Sequence, residues 1–237
     1  MTTSANEERR ERVLDAAVTL INRYGYDKTT VDDIAREAGV SKGAVYLHFR
    51  SKDALFEDLL VRELKRYAEE WMRLIEDDPN GGTIGAMYKN SLYAMNNSPF
   101  MSAMFRQDRR VFGNYLQKPG NFFARMQQQE KESSRYVFVK MMQDAGAVRS
   151  DIDAGVIAHI MNIIGYGMVS VDAVMPAEET PPIDDVIEGI AAIMDAALAP
   201  AIGGDSSVGK TILRQVFEAG RQRYGESANE KGTGEAA

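Results

Sequence analysis

The stretch TTVDDIAREAGVSKGAVYLHFRSKDALF, residues 29–56, decides the fold because it predicts two short helices joined by a tight turn. Thr30 can cap the first helix, which Gly39 ends, and Ser41 can cap the second, which runs to about Arg50. A turn of three or four residues that contains a glycine is typical of a helix-turn-helix. In that motif the second helix enters the DNA major groove.

The faces of the second helix can be assigned from its spacing. Val45 and Phe49 stand four residues apart and can face the core, which leaves Lys42, Tyr46 and His48 on other faces. The amides at the start of this helix favour a phosphate, and side chains there can reach base edges. The alternative from periodicity alone is a short surface helix with a solvated lysine.

Amphipathic helices flank this pair. The helix before it ends at Gly25, and the helix after it can be capped by Ser51 and stops at the turn DDPNGG, residues 77–82. The apolar face of the first consists of Val13, Ala16, Ala17, Leu20, Ile21 and Tyr24. The apolar stripe of the second consists of Phe56, Leu60, Leu64, Tyr67, Trp71 and Ile75.

Beyond residue 82 the chain stays helical in pattern, with no run of alternating strands and no internal repeat. The sequence therefore predicts an all-α fold with a three-helix N-terminal domain and a larger helical domain. Further helices are predicted at 83–97, 99–112, 119–146, 151–175, 184–199 and 207–224. We expect residues 1–51 to form the helix-turn-helix domain and residues 52–200 to form the larger domain, with helix 52–76 linking the two. Residues 201–224 are expected to be a helical extension, and residues 225–237 a disordered tail.

Composition restricts the possible functions. The chain has 237 residues, a formal net charge of −7, no cysteine and two histidines, so we expect no disulfide, no metal site and no cofactor. No apolar run reaches the roughly 20 residues of a membrane span, and the N-terminus lacks a signal-peptide core, so a soluble cytoplasmic protein is expected. Residues 1–50 carry eight basic and eight acidic side chains. The acidic total therefore does not exclude DNA binding at this end.

One motif points to a different class of protein. GDSSVGKT, residues 204–211, fits the P-loop pattern of nucleotide hydrolases. A P-loop needs a strand before the glycines and a sheet around it, whereas the preceding segment reads as a helix and only 26 residues follow Thr211. Lys210 then becomes a solvated first-turn lysine of a final helix. We reject the nucleotide hydrolase and expect no enzyme, since no catalytic constellation is present.

The decisive stretch, with Tyr24, Gly25 and Tyr26 before it, resembles the DNA-binding segment of TetR-family bacterial transcriptional regulators. The shared frame is T(T)xxxIAxxAGVSxGxxYxHFxSKxxL, and the resemblance covers residues 9–60. It implies that Lys42 contacts bases, that Thr30 and Lys52 meet phosphates, and that Ala44 and Leu47 offer apolar contacts to a thymine methyl. The implied DNA-binding residues are Thr30, Ser41, Lys42, Gly43, Ala44, Tyr46, Leu47, His48 and Lys52. Thr30 and Ser41 could instead only cap, and Tyr46 could only pack.

The large helical part is rich in methionine and aromatic residues, which line adaptable apolar pockets. The resemblance implies a small-molecule effector site there, and Trp71 is the preferred candidate because it lies on the helix that follows the helix-turn-helix. The candidate pocket residues are Trp71, Met87, Met95, Phe105, Phe122, Met126, Met161 and Tyr166. The alternative for each is ordinary core.

Small residues in the last predicted helices allow close helix approach. The resemblance implies that these helices pair with those of a second copy in a four-helix bundle, which makes a homodimer. The candidate interface residues are Gly155, Ala158, Gly165, Gly189, Ala192 and Ala196. Packing within one chain is the alternative.

The function predicted from these features is a homodimeric regulator, most often a repressor in this family, that a small and largely apolar effector releases from a palindromic double-stranded DNA operator. The alternatives are a transcriptional activator or a helical interaction module without a small-molecule effector. No membrane partner is expected.

Overall fold

In the computed structural model, which describes residues 2–129, 133–171, 180–200 and 205–233, every regular element of the described chain is helical. The predicted all-α fold is confirmed. The helices are α1 (Thr2–Tyr24), α2 (Val31–Glu37), α3 (Lys42–Tyr46), α4 (Lys52–Asp77), α5 (Ile84–Asn96), α6 (Pro99–Arg106), α7 (Arg109–Phe112), a 3-10 helix (Gly113–Gln117), α8 (Phe122–Gln129), α9 (Ser134–Asp144), α10 (Ala154–Ser170), α11 (Ile183–Leu198) and α12 (Ser206–Thr233).

Three of the helices predicted before residue 150 differ from those observed. The second helix of the decisive stretch ends at Tyr46 rather than near Arg50, because the chain turns at the next two residues. The helix predicted at 99–112 is broken at Gln107, which adopts a positive φ of 48°, a backbone conformation rare for a residue with a side chain. The prediction at 119–146 corresponds to two helices, α8 and α9.

The structure divides into two compact units that do not follow the predicted domain boundaries. One unit comprises Met1–Leu64 and Pro99–Glu130, and the other comprises Lys65–Ser98 and Lys131–Ala237. Residues 99–130 thus fold with the N-terminal helices, although the sequence assigned them to the larger domain. The division falls within α4, so this one helix contributes to both units.

Aromatic side chains form the core of the first unit. The ring of Phe56 lies 4.7 Å from that of Tyr115 and 5.8 Å from that of Phe112, centroid to centroid. Phe112 in turn lies 5.7 Å from Phe100 and 5.5 Å from Phe123. Tilted and edge-to-face pairs at these separations add attraction beyond the burial of apolar area. This cluster explains why the segment from α6 to α8 belongs with the N-terminal helices.

Methionines and branched side chains form the core of the second unit. Met87, Met95 and Met161 are buried in a cluster to which α4, α5, α9, α10, α11 and α12 contribute. Helices α5 and α11 approach each other closely, since a Cβ on Gly85 would overlap the carbonyl oxygen of Ala191. None of the helices in the described chain combines the length and apolar character that crossing a bilayer requires.

The final helix settles the P-loop question. Gly204 lies outside the described residues, but Gly209, Lys210 and Thr211 are part of α12 and follow no strand within the described chain. The strand-loop-helix context of a P-loop is therefore missing. Helix α12 continues to Thr233, past the predicted end at 224, and residues 234–237 of the expected disordered tail lie outside the described residues.

Candidate nucleic-acid interface

Two capped helices and a glycine turn build the helix-turn-helix. At the start of α2 the amide of Asp33 donates to the Thr30 hydroxyl oxygen at 3.1 Å, and the amide of Thr30 donates to the Asp33 carboxylate at 3.2 Å. This reciprocal capping box lowers the pKa of Asp33, with the Thr30 hydroxyl as the largest cause. Gly39 turns the chain at φ +66°, and Ser41 caps α3 by accepting from the amide of Ala44 at 3.1 Å.

Helix α3 presents two different faces. Val45 and the following Phe49 are buried, which matches the faces expected from their spacing. Tyr46 is about half exposed, and Leu47, just after the helix, is 82% exposed. Lys42 and Gly43 are also exposed at the helix start. The residues expected to contact DNA therefore form a solvent-facing surface beside a buried anchor.

Lys42 is already engaged by the neighbouring helix. Its ammonium group lies 2.9 Å from the Oδ2 atom of Asp32 on α2, and both side chains remain more than half exposed. Hydrogen bonding to Asp32 raises the pKa of Lys42. The lysine is thus charged, reachable from solvent and held across the turn.

His48 differs from the other candidates because one side of its ring is buried. Its Nε2 atom is inaccessible and has no hydrogen-bond partner among the described residues. Burial lowers the pKa of His48, and the nearby Arg9 and Arg10 act in the same direction. The imidazole is therefore mainly neutral at pH 7 and adds little positive charge to this surface.

Lys52 points towards the chain rather than outward. Its ammonium group donates to the carbonyl oxygen of Tyr26 at 2.5 Å and lies 4.0 Å from the centroid of the Tyr26 ring. Burial is the largest influence on Lys52 and lowers its pKa. A contact between Lys52 and a phosphate stays a prediction, in which the ammonium group would have to exchange or share its contact with Tyr26.

A set of contacts that was not predicted joins the turn after α1 and the start of α4 to the segment from α7 to α8. The amide of Tyr26 donates to the carbonyl oxygen of Val111 at 2.7 Å, and the amide of Asn114 donates to the Asp27 carboxylate at 3.0 Å. Lys118 also forms an ion pair with Asp53, at the start of α4. These pairs lie 65 or more residues apart, so no local pattern could reveal them.

The predicted pocket residues fall in both units. Trp71 is partly buried, and its indole N–H donates to the carbonyl oxygen of Met87 at 3.0 Å. Tyr166 and Phe105 are 61% and 44% exposed, and their place in an effector pocket stays a prediction. The second unit contains Trp71, Met87, Met95, Met161 and Tyr166, and the first contains Phe105, Phe122 and Met126.

Met126 lines an open cavity on the first unit. The cavity has a volume of about 420 Å³, and amide and apolar side chains share its wall. The lining residues are Gln107, Leu116, Asn121, Phe123, Ala124, Met126 and Gln127. Phe122 is instead buried against Phe123.

Two of the predicted dimer residues serve packing within the chain. Ala158 is buried in the core of the second unit, and a Cβ on Gly165 would lie 3.0 Å from the Tyr88 hydroxyl. Both residues contact their own chain here, and their place at a dimer interface stays a prediction. The remaining four, Gly155, Gly189, Ala192 and Ala196, are exposed or half-buried.

Large apolar side chains, which the sequence analysis did not select, accompany the exposed small residues. Val156, Ile160 and Ile163 share a face of α10 at helical spacing, and each is about half exposed or more. On α11, Ile193 is 70% exposed and shares a face with Gly189. We call these residues the exposed apolar row.

The N-terminal segment matches known proteins. A family model described as bacterial regulatory proteins of the tetR family matches residues 13–59. The HTH-type transcriptional repressor Rv1474c of Mycobacterium tuberculosis is 45% identical over 60 residues, which are 25% of this chain and 32% of that protein. The chain therefore spans about a third of the length of this relative.

Two solved structures share the fold over most of the chain. FadR from Bacillus subtilis, in complex with stearoyl-CoA, has a TM-score of 0.57 at 15% identity, covering 78% of this chain and 96% of that one. The ketosteroid transcriptional regulator KstR2 of M. tuberculosis has a TM-score of 0.53 at 18% identity, covering 81% and 95%. The family consists of regulatory proteins rather than enzymes. By its N-terminal segment the chain is similar to the TetR family of bacterial regulatory proteins, and over most of its length it shares the fold of the two regulators named above.

Proposed function

We propose that the chain is a homodimeric, DNA-binding regulator of transcription that acts in the cytoplasm and in which α3 reads the major groove. The observation that carries this proposal is the exposed surface of Lys42, Gly43, Tyr46 and Leu47, beside the buried anchor Val45. Short side chains and a free amide at the start of a recognition helix allow close approach to base edges and phosphates. The match of this segment to the family supports the same reading.

The exposed apolar row supports the homodimer. Val156, Ile160 and Ile163 on α10 and Ile193 on α11 leave apolar area in water that a second copy could cover. Two-fold symmetry would present two α3 helices to successive turns of DNA, about 34–36 Å apart or a multiple of that distance. The operator is then a palindrome.

A small, largely apolar effector completes the proposal. The methionine-rich core of the second unit, with Trp71 at its edge, offers deformable apolar surroundings. Of the two proteins that share the fold, FadR was solved in complex with stearoyl-CoA and KstR2 is a ketosteroid transcriptional regulator. Both names support an apolar ligand class. The effector binds more tightly to the arrangement of the dimer that does not bind DNA, and so it releases the DNA. The difference in its affinity for the two arrangements limits how far the equilibrium between them can move. Repression is favoured because the N-terminal relative is a repressor.

Fluorescence anisotropy tests the proposal. The wild-type chain is titrated against DNA from upstream of its own gene and against scrambled DNA, at several salt concentrations. We expect a preference for the upstream duplex, a steep loss of affinity with salt, and weaker binding by Lys42→Ala and Tyr46→Ala. Lys140→Ala, which removes a positive charge from α9, serves as the control. The proposal is refuted if the chain binds upstream and scrambled DNA equally, and if it also binds a duplex selected from a random pool no more tightly than scrambled DNA.

The effector is tested in the same assay. Stearoyl-CoA and a ketosteroid are the first probes, because the fold neighbours suggest those classes. Release of DNA together with quenching of Trp71, the chain's single tryptophan, supports an effector site near α4. Trp71→Phe with unchanged effector affinity would remove Trp71 from that site.

A further inference from the structure

Helix α12 is attached to the corner between α4 and α5. The Ser206 hydroxyl oxygen accepts from the amide of Gly82 at 2.9 Å, and the hydroxyl donates to the carbonyl oxygen of Pro79 at 3.1 Å. The side chains of Ile212 and Leu213 are buried in the core of the second unit. The extension beyond residue 200 is therefore an integral part of this unit.

Two glycines allow the helix to approach this corner. A Cβ on Gly209 would overlap the carbonyl oxygen of Gly82, and a Cβ on Gly82 would overlap the backbone of Ser206. No other residue fits without moving one backbone away from the other. The P-loop-like pattern thus has a different cause, since Gly209 and Ser206 within it are residues by which α12 contacts the corner.

Basic side chains of α12 meet the end of α4. The Lys210 ammonium donates to the carbonyl oxygen of Glu76 at 3.2 Å, one residue before α4 ends. Positive charge at this end of a helix complements the helix dipole. The Arg214 guanidinium makes two hydrogen bonds to the Glu76 carboxylate, at 2.7 and 2.8 Å. This fork-shaped contact fixes direction as well as distance.

We propose that α12 is a positioning element that holds the C-terminal end of α4 through Glu76, and so favours the arrangement of α4 that is competent to bind DNA. The inference rests on the proposed function. Helix α4 runs without interruption from Lys52, which directly follows the helix-turn-helix, to Asp77. A restraint on its last turn therefore acts on the helix that supplies Phe56 to the core of the first unit.

The test compares two arginines of the full-length chain. Arg214→Met removes the bridge from α12 to Glu76, whereas Arg73→Met removes ion pairs that stay within α4, to Glu70 and Asp77. Both substitutions change the charge equally. We expect Arg214→Met to weaken binding to the preferred duplex by about threefold to fivefold, the limit for a solvent-exposed pair, and Arg73→Met to leave it unchanged.

Charge exchange separates positioning from loss of stability. Arg214→Glu and Glu76→Arg should each weaken binding, and the double variant should restore it, with thermal unfolding of all variants recorded in parallel. Gly209→Leu, which forces α12 from the corner, should give a larger loss in the same direction. If Arg214→Met binds the preferred duplex as tightly as the wild type does, or if the double variant does not restore binding, the inference about α12 is overturned and the proposed function is unaffected. A wild-type chain that prefers no duplex overturns both proposals.

Discussion

The ammonium group of Lys42 lies 2.9 Å from Oδ2 of Asp32, so the side chain proposed to contact bases is paired with the helix that precedes it. Both groups are exposed, so this contact has little effect on stability. In the proposed complex its effect on recognition is larger, because DNA would have to replace Asp32 as the partner of Lys42. The carboxylate would also lie near the DNA phosphates, and like charges repel.

Asp32→Asn should therefore strengthen DNA binding while reducing discrimination. Removing one negative charge from the interface lowers repulsion of phosphates for every sequence alike, while Lys42 loses the ion pair that holds it in place. We therefore expect about threefold to tenfold tighter binding to scrambled DNA and a smaller gain for the preferred duplex. Anisotropy titrations at several salt concentrations measure both. Glu37→Gln removes the same charge from the last residue of α2 and is the matched control. Equal changes in both variants would show that only net charge matters.

Thr30→Ala should destabilise the helix-turn-helix by about 1 kcal/mol, the usual consequence of losing an N-cap. The substitution removes the oxygen that accepts from the amide of Asp33, and it opens the reciprocal capping box. Thr30→Ser keeps the hydroxyl and should remain within a few tenths of a kcal/mol of wild type. Urea unfolding followed by circular dichroism measures the difference. Equal stability of the two variants would show that the capping box contributes nothing measurable.

The features that could be predicted from sequence are those set by neighbours along the chain. Thr30, Gly39 and Ser41 occupy their expected places because capping and a positive φ depend on a few adjacent residues. Contacts between distant segments could not be predicted. Lys118 meets Asp53, and Gly209 meets Gly82, only because the helices between them fold as they do.

The same distinction applies to α10 and to the candidate pocket. The small side chain of Gly165 indicated close helix approach, but it did not say whether the neighbour belongs to the same chain or to a second copy. The aromatic character of Tyr166 predicted burial, yet the face of a helix that meets the core is decided by its neighbours. The exposed apolar row, which includes Ile193, was missed for that reason.

The stability of the chain should fall as the pH drops below the usual His48 pKa of about 6.5. Burial lowers the pKa of His48 in the folded state, so the unfolded chain takes up the proton first. The free energy of unfolding is therefore unaffected by this group above that pH and declines as the pH falls towards the lowered pKa. Urea unfolding between pH 7.5 and about pH 5 should show a flatter decline for His48→Gln.

His159→Gln provides the comparison for this experiment. It removes the only other imidazole of the sequence, from an exposed position on α10, and it should keep the wild-type decline. A decline that is the same in all three proteins would assign the pH dependence to carboxylates or to other groups. His48 would then have to be reached by water when the protein is folded.

Ile193→Asp should convert the proposed dimer into a monomer. The side chain is 70% exposed in the isolated chain, so the substitution should change the free energy of unfolding of a monomer little. At a covered interface the new carboxylate would be buried without a partner, so the dissociation constant should rise roughly 100-fold or more. Sedimentation at micromolar concentration distinguishes the two species. Ile163→Asp, on the α10 part of the exposed apolar row, should act in the same direction.

Val137→Asp places the same charge at an exposed apolar residue of α9 and should leave the dimer intact. If all three variants sediment as the wild type does, the exposed apolar row is not the surface that joins two copies. If Ile193→Asp is monomeric and also loses preferred-duplex binding while Val137→Asp keeps both, two linked copies of α3 are needed for tight binding. The size of that loss then measures the contribution of the second half-site, because a monomer retains every contact of its own helix-turn-helix.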